Sequence, residues 1–160
     1  MSNKKVDIAK IKHTAEELYD TGGFYCSEAI VAAFKEHLYP EMPQELIQAA
    51  SGFPVGVGRS KCMCGAVSGG VMTCGYVFGR TEGSDRERSE KTLAVSKEVQ
   101  ERFRTRNKVT CCSALTRGME MGSPVHKAQC VRFTGEVAAD VAEIIARECA
   151  LDLVEDPANE

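Results

Sequence analysis

Apolar positions recur at helical spacing from one end of the chain to the other. Ile8, Ile11, Ala15 and Leu18 fall three and four apart and Thr21-Gly22-Gly23 stops the pattern, so residues 4–20 read as a first amphipathic helix. A second starts near Cys26, carries Ile30, Phe34 and Leu38 on one face, and ends before Pro40 and Pro43. Pro43 then opens a short helix, PQELIQAA, closed by Ser51-Gly52. A glycine-rich loop, GFPVGVG, leads into an apolar stretch from Cys64 to Phe78 that reads as a buried helix. Residues 83–106 predict a charged helix with Val95, Val99 and Phe103 as its inner stripe and Glu87 paired with Lys91 one turn on. Pro124 opens a long last helix whose inner face holds Val137, Val141, Ile144 and Ile145, and the tail DPANE is expected to fray. The expected fold is therefore all-α, a bundle of about five to seven helices with a glycine-rich loop before a buried small-residue helix. No repeat, low-complexity run or linker divides residues 1–160, so one domain is expected.

Composition narrows the functional classes. Hydrophobic residues make up 43% and charged residues 27%, which is ordinary for a globular chain and argues against disorder. Twenty Lys and Arg face 23 Asp and Glu, a formal net charge of −3, so no global basic field draws nucleic acid. The two lysines near the N-terminus precede no apolar run, and no window approaches the ~18 apolar residues of a membrane span, so a cytoplasmic protein is expected. The chain holds eight cysteines. A reducing compartment keeps thiols unpaired, so metal binding or redox chemistry is expected ahead of a disulfide framework.

Several familiar motifs lack their parts. Gly56-Val57-Gly58-Arg59-Ser60-Lys61 has neither the third glycine of a dinucleotide loop nor the GK[ST] order of a phosphate loop. CxxC and CxxCH are both absent, which removes the thioredoxin-type dithiol, paired zinc knuckles and c-type haem attachment. His13 and His37 fall on polar helix faces. His126 lies four before Cys130 on one helix face, where it can act as a ligand or as a donor to one.

The cysteines are placed more informatively than they are numerous. Cys26 and Cys64 fall at predicted helix N-termini, where free amide N–H groups and the helix dipole favour the thiolate that binds metal. Cys130 lies seven before Val137 and so points along the inner stripe, while Cys112 precedes that element in a loop or short helix. Four thiols on four elements would make a site assembled only by folding. Cys149, four after Ile145, reads as a core residue, since free cysteine packs as a small hydrophobe. Cys74, inside the apolar helix, is open between core and ligand. Side chains of adjacent residues point apart, so one of Cys111 and Cys112 faces the site and the other does not. Gly65, Gly69 and Gly70 let a bound group or another backbone come close beside Cys64.

The order Cys26, then CGAVSG at 64–69, then Cys112, then Cys130 resembles the C_GCAxxG_C_C family of redox-active proteins, marked by four cysteines and a CGAxxG motif. The flanks CSEAIVAAF, CSAL and CVRFTGEVAADVAEII are similar to the family's pattern as well. The resemblance implies a mostly helical protein with a cysteine-ligated redox centre. It is also similar to a domain of split-Soret cytochromes c, whose haem motif this chain lacks. Cys62, Cys74 and Cys111 exceed the four-cysteine pattern and are, with His126, further candidate ligands.

The leading expectation is an iron–sulfur protein for electron transfer or redox sensing, with Cys26, Cys64, Cys112 and Cys130 as ligands. Thiolates suit zinc as well, which stands as the alternative metal. Two rivals remain. One is a metal-independent thiol–disulfide oxidoreductase or peroxide sensor using Cys64 with Cys62 or Cys111 with Cys112. The other is a metal carrier or transporter-associated accessory protein. A redox partner protein is the expected partner, with a homodimer also open. No acid–base pair or nucleophile–His–carboxylate array supports a hydrolase.

Overall fold

Helices form wherever the apolar spacing marks them, and caps set their ends. The computed structural model describes residues 4–155. The Asp7 carboxylate accepts the Lys10 N–H at 2.9 Å and so starts α1 (Ile8–Asp20) one turn later than the spacing suggests. The residues before the cap form β1 (Lys5–Val6), which pairs in parallel with β2 (Asp152–Leu153) and buries Val6. Next come α2 (Cys26–His37), α3 (Gln44–Ala50) and the short turn α4 (Pro54–Val57). They are followed by α5 (Gly65–Phe78), α6 (Arg86–Asn107), α7 (Cys112–Leu115) and α8 (Pro124–Glu148).

The described residues thus make an all-α fold of seven right-handed helices, with α4 a turn of the opposite hand. Val55, Gly56, Val57, Gly58 and Arg59 all have φ between 55° and 68°. A left-handed turn costs roughly 1–2 kcal/mol for each non-glycine residue, so the two valines and the arginine store strain. Gly56 is required here, because a Cβ would run into the backbone of Lys61 and Cys62.

α5 is the central element, apolar around its circumference and packed against α2, α6 and α8. Its small residues let these neighbours approach. A Cβ on Gly69 would stand 2.7 Å from the Ser27 Cα, and one on Gly70 would stand 2.6 Å from a Val137 methyl. The Ser27 hydroxyl donates to the Ala50 carbonyl at 2.8 Å, fixing α2 to the end of α3. Val95, Val99 and Phe103 of α6 and Val137, Val141, Ile144 and Ile145 of α8 complete the core.

Three local expectations change. Lys91 pairs with Glu148 of α8, not with Glu87, because α6 lies along α8. His37 is half-buried and shares a hydrogen bond of 2.7 Å with Thr14, so it ties α2 to α1 and is not a free surface residue. Cys149 is exposed, because α8 ends at Glu148 and its cap leaves the core face. The DPANE tail, residues 156–160, lies outside the described residues. Among the described residues no helix is long and apolar enough to cross a membrane.

A seam of ion pairs joins α6 to α8. Arg106 grips the buried Asp140 with both Nη atoms, and Arg147 reaches back to both carboxylate oxygens of Glu98. Arg147, then Arg102, hold the Glu98 carboxyl down at about 2. A depressed carboxyl stabilises the fold above its unfolded value near 4.3, and that contribution fades as pH falls towards about 2. Urea unfolding between pH 6 and pH 2.5 should therefore show a shallower loss of stability in Glu98→Gln than in the parent chain. Equal slopes would remove Glu98 from the acid response.

Candidate functional site

The cavity at one end of α5 is built by helix ends and turns. Cys26 is the first residue of α2, Cys64 caps α5, Cys112 begins α7 and Cys130 lies in the second turn of α8. These four thiols line one cavity of about 660 Å³, together with Tyr19, Tyr25, Gly65, Met121, His126, Arg59 and Lys61. Glu28 closes the N-terminus of α2 by accepting the Tyr25 N–H at 2.9 Å, and Ser123 does so for α8 through the His126 N–H at 3.3 Å.

The two cysteine-rich loops lie side by side. The Cys64 N–H donates to the Thr110 carbonyl at 2.8 Å, and the Ser113 N–H donates to the Lys61 carbonyl at 2.9 Å. This pairing splits each close pair of thiols. Cys64 and Cys112 turn into the cavity, while Cys62 and Cys111 form a disulfide across the loops, with Cα atoms 4.5 Å apart. The dithiols expected from proximity in sequence, Cys62 with Cys64 and Cys111 with Cys112, are therefore replaced by a pair 49 residues apart.

Burial decides the protonation of the cavity thiols. It pushes Cys64 up to about 12 although the Ala66 and Val67 amides oppose it, and it pushes Cys26 higher still, with Cys64 and Cys130 adding to the rise. Burial also raises Cys112 and Cys130; Thr116 and Lys61 offset the first, and the Tyr19 hydroxyl offsets the second. Helix N-termini favour thiolates here as expected, but desolvation outweighs them. All four cavity thiols therefore hold their protons at neutral pH until something replaces the proton.

One sulfur has a prepared hydrogen-bonding environment. The His126 Nδ1 accepts the Gly122 N–H at 3.2 Å, which leaves the ring proton on Nε2, 3.6 Å from the Cys130 Sγ. Tyr19 of α1 lines the same cavity, and its hydroxyl counters the burial that raises the Cys130 thiol. His126 is nearly fully buried, so this orientation is held by its surroundings.

The glycines divide. Gly65 lines the cavity, and a Cβ there would stand 2.5 Å from the Cys26 Sγ. Gly69 and Gly70 lie further along α5 and admit α2 and α8 to close contact. Cys74 is wholly buried in α5, away from the cavity, where burial and then Glu98 push its thiol up to about 12. The strained turn at residues 55–59 borders the site through Val55 and Arg59.

Sequence reasoning did not mark Tyr19, Tyr25 or Met121. Tyr19 sits at the end of an amphipathic helix with no local signal of its role, and only tertiary packing brings it to Cys130.

Among the described residues, no three His, Cys, Asp or Glu donors converge on a position for a single metal ion. The donor set nonetheless fits a thiolate-bound group. Four thiols surround one space, and the residue that would crowd the nearest of them is glycine.

These features define a class, an all-α, cysteine-rich, redox-active protein whose thiols are gathered at a cavity and at an adjoining disulfide. Residues 24–144 match the family described as "Putative redox-active protein (C_GCAxxG_C_C)", and the chain belongs to that family. No curated protein and no solved structure matches it.

Proposed function

We propose that the chain binds an iron–sulfur cluster through Cys26, Cys64, Cys112 and Cys130 and serves in electron transfer or redox sensing. The observation that carries this reading is the partition of the cysteines. Four on separate elements line one cavity, while Cys74, Cys149 and the Cys62–Cys111 bridge stand outside it. A single zinc ion needs four ligands about 2.3 Å from one point. A cluster spreads its thiolates over several irons, so a ring of thiols around a space suits it better. A bound cluster supplies a one-electron couple that the side chains alone lack.

The chain's own residues contribute the rest. Each thiol must lose its proton to ligate, so loading releases protons and is favoured as pH rises. The His126 Nε2–H is placed to donate to the Cys130 sulfur and so moderate its negative charge, and the Tyr19 hydroxyl in the same cavity acts on that thiol in the same sense. Arg59 and Lys61 line the cavity and suit an anionic group of thiolates. Tyr25 and Met121 also line it and are both well exposed, leaving an apolar rim at which a redox partner protein can dock.

Anaerobic reconstitution with iron and sulfide tests the reading. Iron and acid-labile sulfide should be retained with visible charge-transfer absorption, and Ser in place of any one cavity cysteine should lower both strongly. The same change at Cys74 or Cys149 should leave them intact. A colourless product that retains zinc and no iron would rule the cluster out.

A further inference from the structure

We propose that the Cys62–Cys111 bridge is an exchangeable redox site that takes dithiols as substrate, and that its closure holds Cys64 and Cys112 in the cavity wall. The significance of that wall rests on the cluster reading; the chemistry of the bridge does not.

The argument begins with connectivity. The bridge joins segments 49 residues apart, and each carries a cavity cysteine next to its bridge cysteine. Cys64 follows Cys62 by two residues, and Cys112 follows Cys111 directly. Apart from the bridge, two backbone hydrogen bonds join the loops, from Cys64 to Thr110 and from Ser113 to Lys61. α7 spans only Cys112–Leu115, too short to be stable alone. The Gln129 side chain donates to its Leu115 carbonyl at 2.7 Å, so α8 anchors its far end while the covalent link positions its start, where Cys112 lies.

Access is asymmetric. Cys62 is exposed and Cys111 half-buried, whereas Cys64 and Cys112 are buried, with 7% and 8% exposure. An external thiolate therefore meets the Cys62 sulfur first. Lys61 and Arg59, just before it, provide a cationic approach.

The exchange balances as two steps. One thiolate of the external dithiol attacks the Cys62 Sγ, the Sγ–Sγ bond breaks, and Cys111 leaves as a thiolate that takes a proton. The second thiol of the dithiol, as its thiolate, then attacks the mixed disulfide, so that Cys62 leaves and is protonated. The external dithiol departs as a disulfide, and its two electrons now reside on Cys62 and Cys111. With the bridge open, the two loops keep only their paired hydrogen bonds, and Cys64 and Cys112 become accessible.

The test uses the full metal-free chain, held without oxygen in dithiothreitol buffers of graded reduced-to-oxidised ratio and pulsed with iodoacetamide. Peptide mass spectrometry then reads each cysteine. Cys62 and Cys111 should become labelled together over one two-electron transition. Across it, Cys64 and Cys112 should label at least ten-fold faster, while Cys74 stays protected. Cys62→Ser and Cys111→Ser should each give the fast rates in every buffer. If either variant unfolds, far-UV circular dichroism and loss of Cys74 protection will show it, and the parent titration decides. A bridge that survives excess dithiol, or Cys64 and Cys112 rates that do not change as it opens, overturns the proposal. The expected labelling in a chain that takes up no iron supports the bridge and sinks only the cluster reading. Flat labelling in a chain that loads iron does the reverse.

Discussion

Gly69→Ala should lower the thermal midpoint of the metal-free chain by roughly 5–10 °C, the shift expected for a loss of about 2–3 kcal/mol in a chain of this size. The added Cβ would lie 2.7 Å from the Ser27 Cα and 2.8 Å from its carbonyl oxygen. Both are backbone atoms, which no rotamer change can move aside, so α2 and α5 must separate along their contact. Overpacking of this kind costs about 1–3 kcal/mol, and a rigid neighbour puts it at the upper end. Alanine's better helix propensity returns at most about 1 kcal/mol. Gly75 in the same helix is the control, since a Cβ there meets nothing within 4 Å. Gly75→Ala should be neutral or stabilising by about 0.5–1 kcal/mol. Differential scanning calorimetry of the two variants checks the pair, and equal midpoints would mean that the close approach at Gly69 does not hold the helices together.

Much of the frame was legible because one periodicity governs the core. Val95, Val99 and Phe103, and later Val137, Val141, Ile144 and Ile145, are buried where spacing puts them. Element type follows from that spacing, whereas ends follow from caps and partners. Asp7 moves the start of α1, and Val6 forms strand structure only because Leu153 comes beside it. The left-handed turn was illegible for a different reason. Gly56 and Gly58 permit it, but Val55 and Val57 are residues that avoid positive φ, so only the surrounding structure can impose it.

Legibility of the site divides in the same way. That four cysteines on four elements could meet only by folding was readable from their order, and the cavity now gathers those four. Which partner Cys62 and Cys111 would choose was not readable, because proximity in sequence favoured their immediate neighbours. Two backbone hydrogen bonds between the loops decide the matter by setting their register, and no local signal encodes a contact across 49 residues. The thiol acidities illustrate a contest of magnitudes. A helix N-terminus contributes up to about 2 kcal/mol, whereas full burial can shift a pKa by up to about 3–5 units, so Cys64 rises to about 12 despite its place at the head of α5.

If the cavity holds the proposed cluster, Gly65→Ala should abolish most of its loading while leaving the fold intact, the opposite signature to Gly69→Ala. The added Cβ would lie 2.5 Å from the Cys26 Sγ, with the Phe53 carbonyl oxygen and the Pro54 Cα next at 3.3 Å. The atom in conflict is the end of a side chain, and Cys26 can relieve the clash by turning about χ1. That relief costs the fold little, about 0.5–1.5 kcal/mol if the thiol is forced off a staggered position. It costs the site more, because the sulfur no longer stands beside Cys64. We expect iron and acid-labile sulfide after anaerobic reconstitution to fall about ten-fold, the order of loss seen when a supporting contact at a metal site is removed. The metal-free thermal midpoint should move by no more than about 4 °C, the shift that ~1 kcal/mol produces in a chain of this length. Full iron content in Gly65→Ala would show that the small residue serves helix packing alone, and the CGAxxG glycines would then share a single purpose. Loss of iron with an unmoved midpoint separates them, giving Gly65 to the cavity and Gly69 to the contact between helices.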